Sequence, residues 1–334
     1  MKTEKITAPN GQEITEYYLD NGQMTVTILD LGATITRILV PDKNGRKENV
    51  TLRYKNIEDY QENKTYFGAL VGRTAGRLPG GRLIVGGNEY QIFQNAGENA
   101  LHGGAEGFSR KLWKLEAYTG TKLSLSYTSP DGEEGYPGRL EVSVVYALSQ
   151  DNSLDISYRA KSDRDSAVNL TNHAYFNLSG SAANPVFDHV LTLYNKAVLE
   201  TDENMTASGK AIPTKGGTAF DLTEAKLVEE VNGGAIDACF LLEEGRAVQA
   251  IVEHPASGRR IEVRSDQPAI TVYTDSSSPA DGKILEDGGA HARFSGLCLE
   301  AQKPNVGLDG SFYDQLFLKA GEIYTQSTSY KFVF

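Results

Sequence analysis

Cysteine, positive charge and long apolar runs are all scarce in this chain, and each scarcity removes a class of protein. The two cysteines, Cys239 and Cys298, sit in the apolar contexts Ala-Cys-Phe-Leu-Leu and Gly-Leu-Cys-Leu-Glu. They read as buried thiols and argue against a disulfide framework. No cysteine-based metal spacing is present, and the five histidines form no His-x-Glu-x-x-His or His-x-x-x-His pair. A metal would therefore need ligands gathered from distant strands. Lys and Arg number 33 against 44 Asp and Glu, a formal net charge of −11. That balance argues against nucleic-acid and anionic-membrane partners, which need clustered cations, and it disfavours a phosphorylated substrate outside a local basic pocket. No run approaches the ~20 apolar residues of a membrane span, and residues 1–10 lack the apolar core of a signal peptide. A soluble, cytoplasmic protein is expected.

Hydrophobic residues make up 40% and charged residues 23% of the 334, enough apolar side chains for a sizeable core. Alternation of apolar and polar residues marks strands at 24–29, 34–40, 122–129, 140–148, 153–160, 260–264 and 269–273. Turn signals separate them, among them Asn10-Gly11, Asn21-Gly22, Asn44-Gly45, Asp131-Gly132, Ser257-Gly258 and Asp281-Gly282. Only 56–63 and 221–231 read as short helices, the second capped by Asp221, and neither is long enough to cross between parallel strands. No Pro/Ser-rich linker, charge block or fixed-period repeat divides the chain. The expected fold is all-β, a single domain over residues 1–334 built as a large antiparallel sandwich with long functional loops.

The segment Asn169-Leu-Thr-Asn-His-Ala-Tyr-Phe-Asn177 has two distinct faces. Read with period two, Val168, Leu170, Ala174, Phe176 and Leu178 point one way, interrupted by Asn172, while Asn169, Thr171, His173, Tyr175 and Asn177 point the other. A solvated strand face usually carries Lys, Glu and Thr; five hydrogen-bonding side chains around a histidine suit a polyhydroxylated ligand. Within the glycine-rich 72–82, which lacks the Gly-Lys-Ser/Thr ending of a phosphate loop, Arg73 or Arg77 offers a fork of donors to sugar oxygens or forms a surface salt bridge. In Asn99-Ala-Leu-His-Gly-Gly104, His102 is either a ligand contact beside permissive glycines or a structural loop histidine. The Gly- and Pro-rich 131–138 reads as architecture. Asp237, just before an apolar strand, accepts from ligand hydroxyls or caps a turn. The apolar strand 295–302 ends in Glu300 with Gln302 on the same face. That carboxylate is a strand-end charge reaching water, or a base whose proton affinity is raised above ~4.3 by partial desolvation. Tyr175 and Tyr273 are platforms for a sugar face or ordinary packing, and His189, His254 and His291 read as structural.

Taken in order, these motifs resemble the aldose 1-epimerases, or galactose mutarotases. The resemblance spans nearly the whole chain and is carried by Pro41-Asp42, Phe67-Gly-Ala-Leu-Val-Gly-Arg73, Leu101-His-Gly-Gly104, Asp131-Gly-Glu-Glu-Gly-Tyr-Pro-Gly138, Asn169 to Leu178 and Gly296-Leu-Cys-Leu-Glu300. It implies a large antiparallel β-supersandwich and interconversion of the α and β anomers of free aldoses such as galactose or glucose, without cofactor or metal. Carried over by motif, Glu300 is the general base, His173 the general acid and His102 a second partner of the ring oxygen. Arg73 and Asp237 then bind hydroxyls, and Asn99, Gln302 and Tyr175 complete the expected substrate contacts. The implied partner is a free aldopyranose, with no nucleic acid or membrane, and the chain is a monomer or homodimer. For His173 to act near neutrality, Glu300 or Asp237 is expected to favour its imidazolium against a reference value of ~6.5.

Three departures from the family pattern bear on the site. The family's Ala-Asn-Arg is Ala75-Gly76-Arg77 here, which removes one side-chain amide. The histidine after the site aspartate is Ala238, and Glu-Thr-Gln-His is Glu300-Ala-Gln-Lys303. The preferred sugar is left open by these changes. Three rival readings differ in what they need: a sugar-binding protein could lose the His173–Glu300 pair, a glycoside hydrolase needs a second carboxylate, and a hexose-phosphate epimerase needs a stronger basic cluster.

Overall fold

The structure, a computed structural model, describes residues 1–278 and 282–334; Asp281 of the expected Asp281-Gly282 turn lies outside them. Three large sheets form the molecule, of nine, six and five strands. The strand Leu140–Leu148 shows why: its sequence LEVSVVYAL alternates, so Leu140, Val142, Val144, Tyr146 and Leu148 are buried while the residues between them are more open. Its neighbour Ser153–Ser162 pairs with it antiparallel, Leu148 opposite Leu154 and Val142 opposite Ala160. The eleven-residue Ile323–Val333 then joins Ser153–Ser162 to Arg259–Ser265.

One continuous apolar cluster links the sheets. It joins Val142, Val144 and Ile156 of the nine-stranded sheet to Phe240, Val272, Leu299 and Ala301 of the six-stranded sheet and to Val26, Ile28 and Ile35 of the five-stranded sheet. Full burial of each such side chain contributes roughly 1.5–3 kcal/mol. The six-stranded sheet runs in the order Tyr175–Phe176, Leu297–Gln302, Ala269–Tyr273, Asp237–Leu242, Asn195–Thr201, Ala207–Pro213, and its ladders are antiparallel. Leu299 and Ala301 face the cluster, so by alternation Glu300 and Gln302 face away from it. Register extends that second face: Glu300 stands opposite Thr271, and Asp237 opposite Tyr273.

Several expectations change. The 57–62 segment is a 3₁₀ helix. The 221–231 segment is not a helix but a two-residue strand, Lys226–Leu227, followed by one 3₁₀ turn, Val228–Glu230. Asp221 accepts from the Thr223 hydroxyl at 2.7 Å in a local turn rather than capping a helix. Among the described residues the single α-helix is Tyr313–Leu316, and no helix is long and apolar enough to cross a membrane. Cys239 and Cys298 are buried free thiols, as expected.

The largest correction concerns 169–177. Instead of one strand with an open polar face, the chain threads between sheets: Ser166–Ala167 pairs with Phe317–Leu318, Thr171–Asn172 with Leu70–Val71, and Tyr175–Phe176 with Leu297–Cys298. Both faces are buried. Most of the polar row answers backbone groups: Thr171 donates to the Ala301 carbonyl at 3.0 Å, Asn177 to those of Asn184 and Ser295 at 2.7 and 2.8 Å, and Asn169 to that of Lys303 at 3.3 Å. Buried backbone needs such partners. Asn172, the polar interruption of the apolar face, likewise donates to the Gly68 carbonyl at 2.8 Å.

Candidate active site

Against the outward face of the six-stranded sheet lies a cavity of about 190 Å³ lined by Asp237, Thr271, Tyr273, Glu300 and Gln302 from the sheet, together with His173 and Tyr175. Tyr66, Arg77 and His102, from other segments, line the rest of it. The ladder between Arg77–Leu78 and Ala100–Leu101 sets Arg77 opposite Leu101 and so brings it beside His102. The turn at His102 depends on Gly103, whose φ of +92° and Cβ-less backbone let it sit where a Cβ would be 1.8 Å from the Gly72 carbonyl oxygen.

Nε2 of His173 stands 3.6 Å from Oε1 of Glu300, with 5% and 3% of the two side chains exposed. The imidazole is flanked by two rings at low angle, Tyr66 at 5.8 Å and 22° and Tyr175 at 5.0 Å and 21°. Its Nδ1 lies 3.5 Å from the thiol of Cys298. His102 meets His173 edge-on at 5.2 Å, and its Nδ1 accepts from the Gly76 N–H at 3.3 Å, which puts the proton of the neutral ring on Nε2. His102, His173 and Glu300 each bring one ligand-type atom to within 4.8 Å of the others, so these are the residues that could hold a metal ion. Oε2 of Glu300, Oε1 of Gln302 and Oγ1 of Thr271 are buried without hydrogen-bond partners among the described residues. Buried polar atoms rarely stay unpaired, and here three of them sit in one cavity.

Electrostatics follow from burial. Loss of hydration pushes Glu300 up to about 8, helped by the charge of Asp237 and opposed by Arg77. The same effect takes His173 down to about 4 and His102 well below the usual histidine value, with His173 and Arg77 adding to the latter. Asp237 is raised by burial, against the pull of Arg77. The expectation that a carboxylate holds His173 as imidazolium is therefore corrected: burial lowers the ring's proton affinity, and the Glu300 carboxyl 3.6 Å away is itself pushed toward its neutral form.

Of the expected contacts, the cavity brings together Glu300, His173, His102, Asp237, Gln302 and Tyr175. Tyr175 uses its hydroxyl on the Thr65 carbonyl at 2.9 Å, leaving its ring to pack on His173. Two expected residues lie elsewhere. Arg73 is buried, its guanidinium donating to the carbonyls of Pro130, Pro137 and Gly138 and to the Ser129 hydroxyl at 2.7–3.0 Å; it holds the 131–138 turn together, as that turn's architectural reading requires. Burial lowers it to about 10. Arg77, the other arginine of the motif, lines the cavity instead. Asn99 accepts from Gly80 N–H at 3.0 Å and donates to Thr206 at 2.9 Å, so both ends of its amide serve the loops. Tyr66, Thr271 and Asn305 line the cavity without having been singled out. Thr271 shares parity with Tyr273, but only the strand pairing reveals that this face is the one opposite Glu300.

Residues 15–331 match the family described as aldose 1-epimerase. The chain is 37% identical over 329 residues to galactose mutarotase of Mus musculus, covering 96% of this chain and 95% of that one. It is 31% identical over 347 residues to aldose 1-epimerase of Escherichia coli, covering 98% and 97%. Among solved structures, galactose 1-epimerase from Lactobacillus acidophilus superposes with a TM-score of 0.83 at 26% identity, covering 100% of this chain and 99% of that one. An aldose epimerase homologue of C. elegans gives 0.88 at 25%, covering 95% and 98%.

Proposed function

The chain belongs to the aldose 1-epimerase family and is an isomerase, and we propose that it interconverts the α and β anomers of free aldopyranoses with Glu300 and His173 as its proton-transfer pair. The observation that carries the reading is the enclosed approach of His173 Nε2 to Glu300 Oε1 at 3.6 Å, with unpartnered acceptors around it. In the ring-opening step the Glu300 carboxylate takes the O1 proton, the C1–O5 bond breaks, and the His173 imidazolium gives its proton to O5. Rotation about C1–C2 turns the other carbonyl face to the hydroxyl, and reclosure reverses both transfers. Each general acid or base step is typically worth ~10²–10⁴ in rate.

Burial gives this pair a particular use. After ring opening Glu300 is protonated and His173 neutral, the same arrangement that loss of hydration favours in the enclosed site. The charge-separated form needed to begin the step has the same single proton, moved from Glu300 to His173. Arg77, whose charge lowers Glu300 and which makes no ion pair among the described residues, favours that transfer while donating to a hydroxyl. Asp237 accepts from another. His102, with Nε2–H available, supports the ring oxygen. The expected partner is a free monosaccharide.

Polarimetric decay of freshly dissolved α-D-galactose and α-D-glucose, with and without the protein, tests the reading. Acceleration above buffer is expected; none with these or with other free aldoses would overturn it.

A further inference from the structure

The space that a side chain at position 76 would enter holds the amide of another residue. A Cβ on Gly76 would lie 2.1 Å from Oδ1 and 2.9 Å from Cγ of Asn305. Asn305 reaches that volume from the turn after the Leu297–Gln302 strand, and its Oδ1 accepts from Nε2 of Gln302 at 2.9 Å. Gly76, Gln302 and Asn305 all line the cavity that contains His173 and Glu300. With Oδ1 engaged, the Nδ2 group of Asn305 is left as a donor, without a partner among the described residues. Oε1 of Gln302 is left as an acceptor, buried and unpartnered. Two neutral amides thus present one donor and one acceptor side by side, and a hydroxyl, which both accepts and donates, matches them.

We propose that Asn305 is a specificity-determining substrate contact: its Nδ2 donates to one sugar hydroxyl that in turn donates to Gln302 Oε1, so that the 302–305 turn supplies the amide missing at position 76. The inference rests on the aldose reading above. It also explains why Gly76 and Asn305 belong together, since a side chain at either position occupies the same space. The exchange is sterically open in the other direction, because Gly76 has φ +78°, a left-handed conformation that Asn tolerates better than most residues.

The test measures kcat and KM for galactose, glucose, xylose and a set of singly deoxygenated hexoses, using the parent, Asn305→Ala, Gly76→Asn and the double variant Gly76→Asn/Asn305→Ala. Asn305→Ala is expected to lower kcat/KM about tenfold on the preferred sugar, the scale of one lost hydrogen bond, and to leave unchanged the one deoxy sugar that lacks the contacted hydroxyl. Gly76→Asn alone should lose activity by collision, and the double variant should recover most of it. Asn305→Asp, which keeps the shape and the bond from Gln302 but removes the donor, covers the case in which the alanine variant does not fold, and should show the same sugar-selective loss. An active parent whose Asn305 variants lose nothing, or lose equally on every sugar, overturns the proposal. A parent that accelerates no aldose overturns the underlying reading as well, and the two failures are distinguished by the parent alone.

Discussion

Thr271 and Glu300 stand directly opposite each other on neighbouring strands of the six-stranded sheet, and each has a buried oxygen with no partner among the described residues. That pairing places the carboxylate on a sheet face rather than on a loop. Its position is fixed by the ladder, while Tyr66, Arg77 and His102 line the cavity beside it and add to its burial. The rigid sheet gives orientation and burial gives desolvation, and the chemistry proposed here needs both.

Glu300→Gln separates activity from stability. The folded value of Glu300, about 8, lies above the ordinary 4.5. The protonated form is therefore favoured on folding, and the associated stability is complete below about pH 4.5 and lost as pH rises toward about 8. An amide, which never ionises, escapes that loss. The variant should lose ~10²-fold or more in kcat yet unfold with greater stability than the parent at pH 7, and with no such gain at pH 4. Urea unfolding at the two pH values reads this directly; equal effects at both would show that Glu300 is not held protonated.

The two arginines of the 72–82 segment should respond differently. Arg73→Ala leaves the Gly138 carbonyl without its donor and takes one of two donors from each of the Pro130 and Pro137 carbonyls, which keep the Glu133 N–H and the Ser166 hydroxyl, and is expected to destabilise the fold by on the order of 1–3 kcal/mol. Arg77→Ala should leave the melting temperature nearly unchanged while raising KM and lowering kcat. Circular dichroism melts beside steady-state rates separate the two outcomes.

Tyr66→Ala should disturb His173 without touching the proton-transfer atoms. Removing one of the flanking rings admits water, which relieves the burial that holds His173 at about 4 and moves its value up toward the free histidine range. A fall in kcat of about tenfold is expected, together with an upward shift of the acid limb of the pH profile. Tyr66→Phe, which keeps the ring, should show neither effect.

Much of the sheet framework was legible because alternating burial leaves a period of two: 122–129, 140–148 and 269–273 are strands at the residues expected. Glu300 and Gln302 could be placed on one face for the same reason. The 169–177 segment misled because backbone groups at sheet crossings demand polar partners just as a sugar does, and Thr171, Asn177 and Asn169 supply them. Sequence alone carries no mark that separates the two demands. Nor could spacing choose between Arg73 and Arg77, since both follow glycines; the Arg77–Leu101 register decides it. Gly76 read as a lost amide because its replacement, Asn305, is distant in sequence and meets it only through the turn that follows Gln302.

The most direct test of the account is the pH dependence of kcat for anomer interconversion, corrected for buffer at each pH and measured by polarimetry or by magnetisation transfer between anomers. Below about 4 both His173 and Glu300 are protonated and the base is lost; above about 8 both are deprotonated and the acid is lost. In between the pair carries one proton, and these limits belong to the pair as a unit. The account predicts a plateau across neutral pH that falls on both sides near those values, with both limbs abolished along with activity in Glu300→Gln. Activity that instead rises or falls through a single step near ~6.5, the value of an unburied histidine, would contradict it.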